Sequence, residues 1–266
     1  MSSVTNAKRV VIKVGTSTLT YENGRLNLRA VETLCKVLTD LQNSGKQMIL
    51  VSSGAIGVGT GKLGLKERPA TTHEKQAVAA VGQCELMFIY DKLFGEYNQA
   101  VAQVLLTRDV IDNEHTKQNV TNTLKTLMEM GIIPVINEND TVAIDELVGS
   151  NFGDNDTLSA IVATVADADL LILMTDIDGL YDADPHQVAD AKRIPLVTKI
   201  DNDLMALAGG AGSKRGTGGM LTKLQALRLT MERHIPGVIM HGGHPERLYA
   251  LFDGESEGTL FDADAK

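Results

Sequence analysis

The chain is 266 residues long, and its 43% of apolar residues, 25 glycines and 6 prolines are typical of a globular α/β protein rather than a disordered or fibrous one. Its formal net charge of −9 opposes binding to nucleic acid or anionic membranes, and no run of Lys or Arg indicates a local basic patch. The sequence has neither the apolar core of a signal peptide nor an apolar run of membrane-spanning length, so we expect a cytoplasmic protein.

Short runs rich in β-branched residues alternate with longer helical patterns along the chain. This alternation is typical of α/β proteins in which helices sandwich a mainly parallel, open sheet, and we expect that fold class. A further short run near the C-terminus, Thr259–Phe261, predicts an edge strand. The other predicted strands are Arg9–Val14, Gln47–Val51, Val101–Leu106, Ile132–Ile136, Leu170–Met174 and Val238–Met240.

Four segments have the patterns of long helices. Apolar residues recur at three- and four-residue intervals over Leu28–Leu41, which predicts a helix with one apolar face against the sheet. Thr71 followed by Glu74 has the spacing of a capping box and predicts the start of a second helix. Two further helices are predicted at Asp156–Ala166 and Leu221–Met231.

Composition gives no sign of a disulfide framework or of a linker between domains. The two cysteines, Cys35 and Cys84, both lie in helical patterns, and we predict that they are reduced packing residues. No Pro- or Ser-rich tract or block of charge divides the chain, so one domain with two lobes is predicted. Residues 141–152 show no helical period and predict a hairpin that reaches over the ligand crevice.

The segment Gly216–Lys223 combines three glycines, hydroxyl residues and a lysine at the start of a predicted helix. Such a segment can present backbone N–H groups and one cation to a polyphosphate, although taken alone it is equally compatible with a plain loop. The order of its residues is not the G-K-[ST] of the Walker loop, which occurs nowhere in the chain. The segment therefore predicts a phosphate site in a different nucleotide-binding fold.

The first predicted strand ends in Lys13-Val14-Gly15-Thr16-Ser17. In an open parallel sheet the ligand crevice lies beyond the carboxyl ends of the strands, so Lys13 would bring its ammonium group there and Gly15 would let a phosphate approach the backbone. The alternative for this motif alone is a lysine at a strand end that extends into solvent.

The second predicted strand ends in Ser52-Ser53-Gly54-Ala55-Ile56-Gly57. Hydroxyls and glycine at a strand-to-helix turn suit an anion or a carboxylate held by N–H donors, and the alternative is an ordinary helix cap. The G-x-S-x-G nucleophile elbow is absent here, which argues against a hydrolase.

Two polar clusters follow in the middle of the chain, Asn137-Glu138-Asn139-Asp140 after a predicted strand and Gly153-Asp154-Asn155-Asp156 at a predicted helix start. Together they could bind the ammonium and carboxylate groups of a small zwitterion. Solvated turn residues are the alternative, but four consecutive polar residues after a buried strand favour a binding role.

The fifth predicted strand leads into Thr175-Asp176 and a stretch of spaced aspartates that ends at Pro185. This stretch does not have the order of an EF-hand loop, so calcium is not expected, and the hydroxyl and acid at the strand end could instead bind a ribose or an adenine edge. The sequence His241-Gly242-Gly243-His244 lacks the further His or Cys residues of a zinc site, so no protein-ligated metal is predicted.

In this order, Lys13-Val-Gly-Thr-Ser, Ser53-Gly-Ala, Asn137-Glu-Asn-Asp, Gly153-Asp-Asn-Asp, Thr175-Asp and Gly216-Thr-Gly-Gly-Met-Leu-Thr-Lys resemble the motifs of the amino acid kinase family. The pair N-E-N-D and G-D-N-D favours the members that act on glutamate over those that act on acetylglutamate, carbamate, aspartate or UMP. The resemblance implies ATP- and Mg²⁺-dependent phosphorylation of the side-chain carboxylate of L-glutamate, the first step toward proline.

The resemblance also implies roles for particular residues. The catalytic group would be Lys13 and Lys223 flanking the phosphoryl group, with Asp156 orienting both lysines. A glutamate-binding lobe would span about residues 1–165 and an ATP-binding lobe about 166–266. The residues implied to bind glutamate are Ser53, Asn137, Asp140 and Asn155. Those implied to bind ATP are Lys13, Gly15, Thr175, Asp176, Thr217, Gly218, Gly219, Met220, Leu221, Thr222 and Lys223.

Other family traits are expectations of the same kind. Many members carry a C-terminal RNA-binding-like module of the PUA type, and this sequence reaches Lys266 without room for one. The resemblance implies a dimer or tetramer and allows proline as an inhibitor. Two alternatives stay open at this stage, another carboxylate kinase of the same fold and a nucleotide- or amino-acid-binding module that has lost turnover.

Overall fold

In the computed structural model, residues 2–21, 24–142, 155–185, 187–188, 190–209 and 219–265 are described. The predicted hairpin at residues 141–152 lies almost wholly outside these ranges. Among the described residues, no helix is both long and apolar enough to cross a lipid bilayer. The strands are β1 (Arg9–Val14), β2 (Gln47–Val51), β3 (Val101–Leu106), β4 (Ile133–Glu138), β5 (Leu170–Thr175), β6 (Leu196–Val197), β7 (Gly237–His241) and β8 (Thr259–Phe261).

These strands form one sheet in the order β3-β4-β2-β1-β5-β7-β8-β6. All neighbouring strands pair in parallel except β7 and β8, which are antiparallel. The first four strands of the chain make one half of the sheet and the last four make the other, and the halves meet where β1 pairs with β5. The predicted α/β class with a mainly parallel sheet is therefore confirmed.

Three strands extend past their predicted ends into polar residues. Pairing with β3 continues β4 to Glu138, and pairing between Thr175 and His241 continues both β5 and β7 by one residue. The prediction that Thr259–Phe261 is an edge strand is wrong, because β8 lies between β7 and β6. The true edge, β6, has only two residues, too few to show the alternation by which a strand is recognised.

All four predicted long helices begin within one residue of their expected starts. The capping box is present, with Thr71 accepting from the backbone N–H of Glu74 and Glu74 accepting in return. The helices are α1 (Ser2–Thr5), α2 (Thr16–Leu19), α3 (Leu28–Asn43), α4 (Ala55–Leu63), α5 (Thr72–Gly95), α6 (Arg108–Asp112), α7 (Glu114–Glu129), α8 (Asn155–Val165), α9 (Asn202–Gly209), α10 (Met220–Met231) and α11 (Arg247–Phe252).

The two cysteines differ in their surroundings. Cys35 is buried in α3, as predicted, whereas Cys84 is exposed on α5 and is not a packing residue. The buried face of α5 includes Gly82, Leu86 and Tyr90 at intervals of four residues, and a position two residues along a helix from Gly82 points to nearly the opposite side. A helical pattern alone did not reveal which face this thiol occupies.

Both faces of the sheet are buried, and the alternation along β1 assigns each residue to a face. Val10, Ile12 and Val14 pack in the core that includes α3 and α5. Val11 packs on the other face, in the core that includes α8 and α10. Because successive side chains of a strand point to opposite faces, Lys13 lies on the face of Val11, beneath α8 and α10.

Two glycines allow α4 and α5 to cross at close range. A Cβ on Gly82 would lie 1.7 Å from the backbone oxygen of Ala55, and a Cβ on Gly59 would lie 2.1 Å from that of Val78. No side chain fits at either position without moving backbone. The crossing fixes α5 against the start of α4, which directly follows Ser53 and Gly54.

We expect Gly82→Ala to lower the free energy of unfolding by about 3 kcal/mol, because the added methyl group forces the two helix backbones apart. Urea denaturation measures the change. Gly95→Ala, in the last turn of the same helix, is the matched control, since its Cβ would meet nothing within 4 Å. The control should retain or gain stability, and equal losses for the two variants would contradict the close crossing.

Candidate active site

A buried carboxylate holds two ammonium groups where β1, α8 and α10 meet. The Asp156 side chain is 1% exposed, and its Oδ1 lies 2.7 Å from Nζ of Lys13. Its Oδ2 lies 3.0 Å from Nζ of Lys223. The structure thus brings together the three residues expected to be catalytic, although they come from distant parts of the chain.

The two ammonium groups stabilise the charged form of the carboxylate between them. Burial alone would raise the pKa of the Asp156 carboxyl, but the ammonium groups of Lys13 and Lys223 lower it, and the pKa lies below its ordinary value of 3.8. Lys13 and Lys223 thus share one carboxylate, and each ammonium group has three N–H donors. Both lysines can therefore keep Asp156 as a partner and also donate to an anionic ligand.

The start of α10 is bound to the same carboxylate through a second residue. The hydroxyl of Thr222 lies 2.9 Å from Asp156 Oδ2 and 2.9 Å from the backbone oxygen of Gly219, which caps the helix. Thr222 was expected to belong to the ATP site, but its hydroxyl is already hydrogen-bonded to other atoms of the protein. Together with Lys223, it fixes the first turn of α10 against α8.

A cluster of neutral amides and hydroxyls lies beside the charged cluster. Nδ2 of Asn155 lies 2.9 Å from the backbone oxygen of Ser52, 2.9 Å from Oγ of Ser53 and 3.1 Å from Oδ1 of Asn137. Asn137 is 2% exposed, and its Oδ1 also accepts from the backbone N–H of Glu138. The structure therefore joins the second strand end, the fourth strand end and the start of α8.

Gln83 belongs to this amide cluster and was missed by the sequence reasoning. Its Oε1 accepts from Nδ2 of Asn137 at 2.8 Å. In the sequence, Gln83 is a single amide residue that follows the apolar stretch Ala79-Ala80-Val81-Gly82. Helical periodicity alone does not distinguish such a residue from one on the protein surface.

Two glycines shape the strand ends. Gly54 has φ of +92°, a conformation that favours glycine, and it allows the chain to turn from β2 into α4. A Cβ on Gly15 would lie 3.9 Å from Nζ of Lys13, so the backbone of Gly15 lies close to the ammonium group. A backbone without a side chain next to a buried cation suits a phosphate group, and the residues present fit it.

The remaining candidates lie at the same edge of the sheet. Thr175 ends β5, one position beyond the Val14–Met174 pair, and its hydroxyl donates to Oδ1 of the exposed Asp176 at 2.9 Å. Asp140 is half-buried in the turn after β4. Of the glycine-rich segment, Gly219 caps α10 and Met220, Leu221, Thr222 and Lys223 form its first turn. Thr217 and Gly218 lie outside the described residues.

His241, the last residue of β7, and the nearby His244 lie close together. The rings of His241 and His244 are 5.7 Å apart, and Nδ1 of His241 accepts from the backbone N–H of Gly243. Across the described parts of the chain, no group of three or more His, Cys, Asp or Glu side chains is arranged to hold a metal ion.

The fold and the lysine-carboxylate cluster are those of a phosphotransferase, and the chain belongs to the amino acid kinase family, whose model matches residues 8–241. A glutamate 5-kinase of Clostridium perfringens is 56% identical over 97% of this chain and 96% of its own length. Those of Listeria innocua and Enterococcus faecalis are 55% and 52% identical, and each alignment covers 94% of the relative.

Solved structures with much lower identity share the fold. A UMP kinase from Bacillus anthracis superposes with a TM-score of 0.66 at 17% identity, over 97% of both chains. An isopentenyl phosphate kinase from T. acidophilum gives a TM-score of 0.64 at 16% identity, over 95% of this chain and 99% of that one. The architecture therefore agrees with the family assignment.

Asp156→Asn should destabilise the protein in a pH-dependent way. The native pKa of Asp156 is lowered, so its stabilisation is complete above the ordinary value of 3.8 and is lost as the pH falls through the native pKa. We expect a loss of about 3 kcal/mol at pH 7, because two buried ammonium groups lose their counter-charge. Chemical denaturation at several pH values between about 3 and 7 measures the difference, which should shrink below about pH 4. A constant difference would contradict the electrostatic origin.

Proposed function

We propose that the protein phosphorylates the side-chain carboxylate of L-glutamate with ATP, giving γ-glutamyl phosphate and ADP, as the first step of proline biosynthesis. The observation that carries the proposal is the pair of buried ammonium groups that Asp156 holds at the carboxyl ends of the strands. It is supported by relatives named glutamate 5-kinase that are more than half identical over nearly the whole chain.

The reaction is a problem of charge and alignment. A carboxylate is already ionised at pH 7, so its attack on the γ-phosphorus needs no general base. The obstacle is that an anion must approach a polyphosphate. Each ammonium group has three N–H donors, so Lys13 and Lys223 can keep Asp156 as a partner and still donate to phosphate oxygens. They would then stabilise the charge of the in-line transition state.

The two substrates would bind on either side of Asp156. We place glutamate in the lobe of about residues 1–165, at the amide cluster of Ser53, Asn137 and Asn155, with Asp140 beside it. We place ATP in the lobe of about 166–266. Its phosphates would lie at Lys13, Gly15 and the segment Thr217–Lys223, and its ribose or adenine would lie near Thr175 and Asp176. Asn155 and Asp156 are consecutive, so one turn of α8 would align both substrates.

Mg²⁺ bound together with ATP would supply further charge neutralisation. We also propose a cytoplasmic location, a homo-oligomeric state of two or four chains, and inhibition by proline, each of which is a habit of the family.

Trapping of the product with hydroxylamine tests the proposed reaction. An acyl phosphate reacts with hydroxylamine to give a hydroxamate and inorganic phosphate. We expect hydroxamate to form only with glutamate, ATP and Mg²⁺ together, and much more slowly when acetylglutamate or aspartate replaces glutamate. Binding of ATP and glutamate without any trapped product would identify a binding module, and a faster reaction with another acid would identify a different carboxylate kinase.

The Lys223→Ala variant tests the role of the cluster. We expect kcat to fall at least about a hundredfold with a smaller change in the KM for glutamate, because the lysine would act mainly on the transition state. Lys125→Ala is the control, since Lys125 is exposed on α7 and its nearest ion-pair partner is Glu129 on the same helix. A change in KM alone would count against this assignment.

A further inference from the structure

The hydrogen bonds of the amide cluster fix the orientation of its side-chain amides. An amide side chain has a donor end and an acceptor end, and its neighbours decide which end faces which way. Asn137 is held at both ends: its Oδ1 accepts from the backbone N–H of Glu138 at 2.9 Å, and its Nδ2 donates to Oε1 of Gln83 at 2.8 Å. Its orientation is therefore fixed.

The orientation of Asn137 in turn decides that of Asn155. Nδ2 of Asn155 faces three acceptors, one of which is Oδ1 of Asn137. If Asn137 were reversed, its amide nitrogen would face the N–H groups of both Glu138 and Asn155, donor against donor. If Asn155 were reversed, its oxygen would face the backbone oxygen of Ser52. One polarity therefore satisfies the whole relay.

This polarity leaves one acceptor for a ligand. Oδ1 of Asn155 is buried and has no hydrogen-bond partner among the described residues. A buried oxygen of this kind is costly unless a donor reaches it. The ammonium group of an amino acid is such a donor, whereas a reversed amide would offer N–H groups and would oppose an ammonium group.

Gln83 is well suited to hold the relay in place. It follows Gly82, where α5 crosses α4 so closely that a Cβ would lie 1.7 Å from the backbone oxygen of Ala55. The backbone of Gln83 is thus fixed against the segment that carries Ser53. An acceptor on a rigid neighbouring helix can set the orientation of Asn137 without contacting the substrate.

We infer that Gln83 is a positioning residue of the amino-acid pocket: by accepting from Asn137 it orients the Asn137 and Asn155 amides, so that Asn155 presents its oxygen to the substrate's ammonium group. The inference rests on the proposed function, in which this pocket binds glutamate.

Gln83→Met removes the acceptor and keeps the length of the side chain. We expect the KM for glutamate to rise about tenfold, as for the loss of one hydrogen bond in a buried network. The KM for ATP and kcat at saturating glutamate should stay within about twofold of the wild type. Titration calorimetry with glutamate should show the same loss of affinity without any turnover. Gln118→Met, at an exposed amide on α7 that bonds to Asn122 of its own helix, controls for the substitution itself.

A double-mutant cycle separates the relay from a structural effect. In an Asn137→Ala background, Gln83→Met should change the glutamate affinity no further. The Asn137 amide that connects Gln83 to Asn155 is already absent in that background. Additive effects of the two substitutions, or a Gln83→Met enzyme with wild-type glutamate affinity, would overturn the inference. If Gln83→Met lowers the unfolding midpoint, Gln83→Ala repeats the test, since truncation adds no atoms to the helix crossing.

These results are separable from the proposed function. A wild-type protein that forms no glutamyl hydroxamate refutes the kinase proposal. A wild-type protein that forms it while Gln83→Met binds glutamate normally refutes only the role of Gln83.

Discussion

The structure depends on one buried carboxylate. Two ammonium groups in the interior would be prohibitively costly alone, and Asp156 offsets that cost with both of its oxygens. Each ammonium group has three N–H donors, so both lysines can keep Asp156 as a partner and still donate to an anionic ligand. The same lysines that hold β1, α8 and α10 together are therefore also able to bind phosphate.

The topology of the sheet determines where this cluster can form. The chain adds β2, β4 and β3 on one side of β1, and β5 and β7 on the other, so β1 lies at the point where the direction of strand addition reverses. Open parallel sheets bind ligands beyond the carboxyl ends of their strands at such a point. Lys13 is in β1 and Gly15 directly follows it, and β1 pairs with one strand of each half. This position would give a residue near the N-terminus access to both proposed substrates.

The features that could be predicted from the sequence are those set by residues close together in the chain. Strands and long helices carry periodic signals, and the polar residues after Ile136 and Met174 stand out because they interrupt buried runs. The two-residue strand β6, the exposed face of Cys84 and the contact of Thr222 with Asp156 carry no such signal, since each depends on pairing or packing with distant parts of the chain. The bond between Gln83 and Asn137 joins residues 54 positions apart and is invisible to any local pattern.

The first turn of α8 links two kinds of recognition that follow different physical rules. Adjacent residues on a helix point about 100° apart, so Asn155 faces the neutral amides while Asp156 faces the lysines. Charge at the lysines is strong but carries little information about shape, because any phosphate or carboxylate satisfies it. The amide cluster is weaker, but each of its groups accepts only a partner of the right polarity. Selectivity for an amino acid is therefore expected from the amides, and transition-state stabilisation from the charges. Because Asn155 and Asp156 lie in the same helix turn, the positions of the amide cluster and the charged cluster relative to each other are fixed.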